Sequence, residues 1–394
     1  MPCGLRQHMS AAVLVLALAT LAHAGQRLAP PEPPDVLAQA GEPFDAQRAA
    51  VLRQYASSDE VADVSRVVGA QLGDRRWPVV MAVTDSGECF ARQIENWACT
   101  MKRFAIRPYV IFALDNSTHV WLLAQGEPSV RVRSVSSFGG EIGKFGAASY
   151  RQANFAKIHA VLLLTGLGHD ALVLDVDVLL RADPRPALVA LAVSDSRDAL
   201  FQLNYPTGEL NGGVYLLRST PGALRLMRTI AYHGRLSAER DGAPGIDQDI
   251  LNEFLNRDCA AGTYRAPRHV DQSNPKSPVT PPAHIVVSAC RGFALSLASL
   301  DARLYRTGQM TSMRLPEPGT AVLWHAKYMV GGYVKHSFML GDFGGRRLWC
   351  SANLTLCGKL RETVEQRPIE RARHQLLRPP SRSSGLQAVR RAAP

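Results

Sequence analysis

Residues 171–180, Ala-Leu-Val-Leu-Asp-Val-Asp-Val-Leu-Leu, set two carboxylates, Asp175 and Asp177, inside a run that is otherwise wholly apolar. A short run rich in leucine and β-branched residues, bounded by Gly168-His169-Asp170 and by Asp183-Pro184, predicts a strand buried on both faces, as in parallel sheets covered by helices. A carboxylate in such surroundings must neutralise or find a cation, because an isolated buried charge is too costly to keep. Alternate strand residues point the same way. Asp175 and Asp177 can therefore converge on one cation at the carboxyl end of the strand, where open α/β sheets bind ligands. The competing expectation has one Asp capping a turn and the other solvated.

The 394 residues suffice for two domains, but one α/β domain with appendages is equally ordinary and is the reading taken. Arg6 and His8 precede an apolar stretch that ends in Ala22-His23-Ala24. That stretch is shorter than the roughly 20 residues a spanning helix needs, and it ends in a small-x-small cleavage site. Residues 1–24 thus read as a signal peptide or a short signal anchor, which places the body in the secretory pathway, in the Golgi lumen or secreted. Membrane association would run only through the N-terminus. Residues 25–75, with Pro30-Pro31-Glu32-Pro33-Pro34, read as a Pro-rich stem, 76–360 as the folded domain, and 361–394 as a basic disordered tail.

Without Cys3, six cysteines remain (Cys89, Cys99, Cys259, Cys290, Cys350 and Cys357), an even set that suits disulfides in an oxidising compartment and matches no zinc module. Asn116-Ser-Thr118 and Asn353-Leu-Thr355 are glycosylation sequons that suit surface loops. The net charge of +11 is unevenly placed, since the segment from Arg361 onward holds eight arginines against three glutamates. No basic helix interleaved with aromatics accompanies it, so nucleic acid is not an expected partner.

Val79–Thr84 predicts a buried strand ending at Asp85-Ser86-Gly87, and Glu88–Phe104 a helix with Phe90, Ile94, Trp97, Met101 and Phe104 on one stripe. Tyr109–Asp115 is a second strand. Ser149–Thr165 is a helix feeding the Asp-x-Asp strand, and Lys157 lies off its apolar stripe, either solvated or reaching an anionic ligand beside the carboxylates. Further strands are expected at Leu200–Leu203 and Asn211–Leu217, with helices from Pro221 to His233 and opening at Asp247; residues 259–283 read as a long surface loop. This is the pattern of an α/β domain with a mainly parallel, doubly wound sheet and helices on both faces.

Asp175-Val-Asp177, Asp183-Pro184, Asn211-Gly212-Gly213, Asp247-Gln248-Asp249-Ile-Leu-Asn252 and Trp324-His325 through Lys335 occur in the order found in nucleotide-diphospho-sugar glycosyltransferases of the GT-A fold. The chain most resembles the plant and algal branch that includes rhamnogalacturonan-II xylosyltransferases and extensin arabinosyltransferases, from about Val79 to Lys335. The resemblance implies a nucleotide-sugar donor, a glycan or hydroxyproline-rich protein acceptor, and a divalent cation, Mn²⁺ or Mg²⁺, that neutralises the departing diphosphate. It makes Asp175, Asp177 and His325 the metal ligands, with Asp175 also near the donor ribose. Gly331-Gly332-Tyr-Val-Lys335 would bring backbone N–H groups at Gly332 and the Lys335 ammonium to the phosphates. Asp247 would hold sugar hydroxyls and Gln248 would lie near the anomeric carbon. A neutral amide is a poor nucleophile, so Gln248 suits stabilisation of an oxocarbenium-like transition state with retained configuration. Asn211 would contact a sugar, Gly212 and Gly213 would let backbone approach it, and Thr84 and Asp85 would border the nucleoside. The chain departs from its relatives at Lys327, where they often carry Asn.

Two other readings use the same carboxylates. In a haloacid-dehalogenase-type phosphatase Asp175 would be the nucleophile and Asp177 the general acid, but that motif normally opens its domain and needs a downstream acidic pair; Gly341-Asp342-Phe-Gly-Gly-Arg lacks the second carboxylate. A sugar-binding module of the same fold without turnover is the third.

Overall fold

Val79-Val-Met-Ala-Val-Thr84 has no polar face, and it forms an inner strand of the principal sheet. The computed structural model describes residues 42–73, 77–85, 88–133, 147–204, 208–242, 245–259, 286–287, 290, 294–301, 304–307 and 322–325, and of 88–92, 286 and 307 the backbone alone. The predicted signal segment, the tail, the second sequon, Cys350, Cys357, Gly332 and Lys335 lie outside them.

The strands are β1 (Val79–Thr84), β2 (Tyr109–Ala113), β3 (Ser129–Arg131), β4 (Ala171–Leu174), β5 (Val178–Leu180), β6 (Ala199–Leu203), β7 (Leu210–Leu217), β8 (Val286–Val287), β9 (Leu297–Ser299), β10 (Tyr305–Thr307) and β11 (Leu323–His325). Eight of them form one sheet in the order β3-β2-β1-β4-β7-β6-β9-β8. The pairs β1–β2, β2–β3, β1–β4 and β6–β9 are parallel, whereas β7 runs antiparallel to both of its neighbours and β8 antiparallel to β9. The mainly parallel sheet anticipated from the sequence is thus present, with β7 as its reversed inner strand.

Side chains alternate between two cores. On one face Met81, Phe112, Val173, Phe201 and Tyr215 meet α1 (Phe44–Tyr55), α2 (Ser58–Gly69), α5 (Ala148–Gly166), α7 (Pro221–Asp241) and α8 (Asp247–Asp258). On the other, Ala82, Ile111, Leu172, Leu200 and Leu216 meet α3 (Glu88–Arg103), α4 (Asn116–Ala124) and α6 (Arg185–Ser194). Helices cover both faces, which is why the strands read as continuous apolar runs.

Two expectations are corrected. Residues 44–69 are not stem: α1 and α2 bury Val51, Tyr55, Val64, Val67 and Val68 in the first core. At roughly 1.5–3 kcal/mol for each fully buried aliphatic or aromatic side chain, these helices are part of the fold. Their signals are ordinary ones, a Ser57/Glu60 capping box and valines at helical spacing. Residues 171–180, in turn, are two strands. The chain leaves the large sheet after Leu174, turns through Asp175–Asp177 with Val178 N donating to Asp175 O at 3.0 Å, and enters a second sheet of order β10-β11-β5. Its apolar residues are buried in both, so composition alone does not mark the break.

Other boundaries shift slightly. Asp115 is not strand but the N-cap of α4, accepting from Thr118 N. Asn116 therefore stands exposed on the first helical turn rather than in a loop. The helix expected to stop at His233 runs on to Asp241, where Gly242 closes it at φ 72°. Cys259 and Cys290 form a disulfide, and Cys99 is also disulfide-bonded. Among the described residues no helix is long and apolar enough to cross a membrane.

Candidate active site

Three chain segments meet at the carboxyl end of β4. Asp175 follows the last residue of that strand, and its N–H donates to Gly213 O at 2.8 Å, which fixes the turn against the start of β7. The turn delivers Asp177 to the small sheet, where β5 pairs antiparallel with β11 and Val178 stands opposite His325. Residues nearly 150 positions apart in sequence thereby become neighbours. His325 Nε2 lies 3.3 Å from Asp177 Oδ1 and 3.9 Å from Asp175 Oδ2. One ligand atom from each of Asp175, Asp177 and His325 falls within 4.8 Å of the other two.

Behind this cluster stands Lys157, on α5 and 5% exposed, so it is not a solvated helix charge. Its Nζ lies 3.3 Å from Asp175 Oδ1 and 3.0 Å from Asp247 Oδ2. Burial alone would lower the pKa of such an ammonium, but Asp175 and Asp247 outweigh burial and hold it well above the ordinary lysine value. Burial pushes the Asp247 carboxyl up, while Lys157 and a hydrogen bond from Gln248 N at 2.8 Å pull the other way.

Asp247 is the first residue of α8 and not its N-cap, a position held by Ile246. Gln248 is half-buried and accepts at Oε1 from Gly212 N at 3.3 Å. Asn252, one turn along, is bound at both ends of its carboxamide: Oδ1 accepts from Leu210 N, and Nδ2 donates to Leu210 O. It ties the start of α8 to the start of β7.

The two glycines of β7 are where the segments touch. A Cβ on Gly213 would strike Asp175 Oδ2 and come within 2.5 Å of His325 Cε1, and one on Gly212 would lie 3.0 Å from Asp247 Oδ2. Only backbone without a side chain fits between the two sets of charges. Asn211, expected to reach a sugar, is instead engaged with the chain itself. Its Oδ1 accepts from Gly213 N at 2.6 Å and Val214 N at 3.2 Å, and its Nδ2 donates to Asn204 Oδ1 at 2.7 Å. Thr84 and Asp85 are buried at the carboxyl end of β1, the strand beside β4.

His325 Nδ1 contacts Gln202 Oε1 at 2.9 Å, and Gln202 Nε2 donates to Tyr305 O at 3.3 Å and Arg306 O at 3.0 Å. Sequence reasoning passed over Gln202. The available signal was one amide inside the apolar strand Ala199–Leu203.

The donor set suits a divalent cation. Two carboxylates and an imidazole are the oxygen and nitrogen ligands that Mn²⁺ accepts, and Mg²⁺ takes the carboxylates. The charges agree, since among the described residues one ammonium (Lys157) against three carboxylates (Asp175, Asp177 and Asp247) leaves a formal −2.

A model of the nucleotide-diphospho-sugar transferase family matches residues 105–329, more than half of the chain, from before α4 to just past His325. The chain belongs to that family. It is similar to the β-arabinofuranosyltransferase RAY1 of Arabidopsis thaliana, with 26% identity over 173 residues that make up 42% of this chain. The matched part is 32% of RAY1, so the chain spans about a third of the length of this curated relative. Among solved structures it is similar to the glycosyltransferase GlyE of Streptococcus pneumoniae, at 12% identity, covering 73% of this chain and 64% of that one with a TM-score of 0.41. It is also similar to the galactosyltransferase LgtC in complex with donor and acceptor sugar analogs, at 13% identity, covering 74% of this chain and 98% of that one with a TM-score of 0.34.

Proposed function

We propose that the chain is a metal-dependent, retaining glycosyltransferase of the secretory pathway. It takes a nucleotide-diphosphate sugar, a UDP-sugar first, and passes the sugar to a hydroxyl of a glycan or hydroxyproline-rich protein. The observation that carries this reading is the juxtaposition, across Gly212–Gly213, of the Asp175–Asp177–His325 set with Asp247 and Gln248. The phosphatase reading gives no role to His325, whose Nε2 faces the same two carboxylates.

Asp175, Asp177 and His325 would hold the cation, Mn²⁺ or Mg²⁺, which when bound offsets the charge developing on the diphosphate. Thr84 and Asp85 would border the nucleoside, and Gly332 and Lys335, which lie outside the described residues, are expected to meet the phosphates. The bond from the anomeric carbon to the diphosphate oxygen breaks with its electron pair on the phosphate. The acceptor oxygen forms the new bond from the same side, and its proton passes to the departing oxygen. Gln248 stabilises positive charge on the opposite face through its carboxamide oxygen, which here lies within reach of Gly212 N. Asp247 orients sugar hydroxyls from an oxygen already anchored by Lys157. Asn211 shapes the Gly212–Gly213 backbone from within.

UDP-linked arabinose, xylose and galactose are the donors to test. With Mn²⁺ present the wild type should transfer or slowly hydrolyse one of them, and His325→Ala should lose at least about 100-fold in turnover, as befits loss of a group acting in the transition state, while keeping its circular dichroism. Near-native turnover in that variant would refute the metal-dependent reading, and an inverted product would remove the role given to Gln248.

A further inference from the structure

Gln202 occupies a position where polarity is costly, on β6 and fully buried, and it bridges the two sheets. The pairing of β6 with β7 shifts register between Phe201 and Leu203, so the irregularity falls at Gln202. Such breaks re-aim a side chain beside functional sites. Here the carboxamide reaches the backbone of β10 and the ring of His325 on β11, which pairs with β10.

The contacts fix which way round the amide lies. One end faces two backbone carbonyls, Tyr305 O at 3.3 Å and Arg306 O at 3.0 Å, and carbonyls only accept. That end is therefore the NH₂, and the end 2.9 Å from His325 Nδ1 is the oxygen. A flipped amide would set its oxygen against two others and lose both bonds. An oxygen opposite Nδ1 requires the proton on Nδ1. In the neutral ring Nε2 is then a bare lone pair, and it faces Asp177 Oδ1 at 3.3 Å and Asp175 Oδ2 at 3.9 Å. Three electron-pair donors within 4.8 Å of one another suit a cation site.

We infer that Gln202 is a positioning residue for the metal centre: its carboxamide, locked by the Tyr305 and Arg306 carbonyls, holds His325 in the Nδ1–H tautomer with Nε2 directed at the cation shared with Asp175 and Asp177. This rests on the metal-dependent reading above. It adds a buried neutral amide, sited by a sheet irregularity, that decides which ring nitrogen is offered. Partners of this kind on a ligating histidine typically contribute about 10- to 100-fold in metal affinity.

The test uses the whole chain in two arms. In the first, Mn²⁺ is titrated and the free ion followed by electron paramagnetic resonance for wild type, Gln202→Leu and Gln202→Glu. Leu removes the acceptor and should weaken Mn²⁺ binding by about 10- to 100-fold; Glu keeps an acceptor opposite Nδ1 but turns its second oxygen on the Tyr305 and Arg306 carbonyls, so it should recover part of the loss and not all of it. In the second, ¹⁵N-histidine spectra of the wild type with Mg²⁺, the His325 signals assigned by their loss in His325→Asn, should show a pyrrole-type Nδ1 and a pyridine-type Nε2. A purely structural Gln202 would leave that signature in place when replaced by Leu, whereas a positioning Gln202 would not. Wild-type Mn²⁺ binding with undiminished affinity in Gln202→Leu, or a wild-type ring protonated on Nε2, overturns the inference and leaves the metal-dependent reading standing. A wild type that binds no Mn²⁺ overturns both. Should Gln202→Leu fail to fold, the wild-type tautomer still decides.

Discussion

Asp175 belongs to two clusters, and they are built on opposite principles. On one side Lys157 binds Asp175 and Asp247 at 3.3 and 3.0 Å, a set whose charges are partnered within the protein. On the other, Asp175 and Asp177 face His325, with the neutral amide of Gln202 behind the ring. The first is closed and gains from being left alone. The second is the open one, a set of ligand atoms from Asp175, Asp177 and His325 that lie within 4.8 Å of one another. The two are pressed together through Gly213, so the arrangement uses a structural ion pair to hold one ligand of a metal centre in place.

The largest expected effect comes from opening the closed cluster. Lys157→Met removes the ammonium and strands Asp247, which is 7% exposed. Breaking a buried pair in this way costs about 3–5 kcal/mol, to be read from urea unfolding. A loss under about 1 kcal/mol would mean that water already serves these carboxylates.

His159, two positions along α5, sharpens the contrast. It packs against Tyr55 and Phe155, and loss of water there, against the weaker pull of Glu60, lowers its pKa from 6.5 to about 4. On one helix, buried Lys157 has two carboxylates against it and is held charged, whereas half-buried His159 packs on aromatic rings and is held neutral. The folded value lies below the unfolded one, so the contribution of neutral His159 is complete above pH 6.5 and is lost as the pH falls towards 4. The shift corresponds to about 3 kcal/mol. His159→Phe should be flatter by roughly that amount in unfolding free energy against pH; an unchanged acid limb would reject the assignment.

A smaller effect on stability is expected where the clusters touch. In Gly213→Ala the new methyl meets Asp175 and lies 2.5 Å from His325 Cε1. Overpacking of this kind costs about 1–3 kcal/mol. Loss of Mn²⁺ affinity should exceed the loss of stability, and calorimetry on folded protein separates the two.

The strands and helices of the sheet were legible because their burial pattern is written in composition: Val79–Thr84 and Tyr109–Ala113 are apolar throughout, and helices must cover both their faces. The Asp-x-Asp ligands and Asp247-Gln248 stood out as charge in apolar or helix-opening contexts. The break between Leu174 and Val178 did not, because both halves are buried in different sheets and read as one strand. Nor did α1 and α2, although Ser57 and Glu60 announce a helix start, since a proline run just before them drew attention to extended chain. Lys157 was placed beside the carboxylates, but its burial follows from long-range packing that no local pattern encodes. Gln202 and His325 meet only through sheet pairing, which sequence spacing leaves open.

The most direct test of the open cluster is UDP binding to the purified chain by calorimetry, with and without Mn²⁺, for wild type and Asp177→Ala. The account predicts binding by the wild type that requires Mn²⁺ and is lost in the variant. UDP binding that is indifferent to Mn²⁺, or equal in the two proteins, would contradict it.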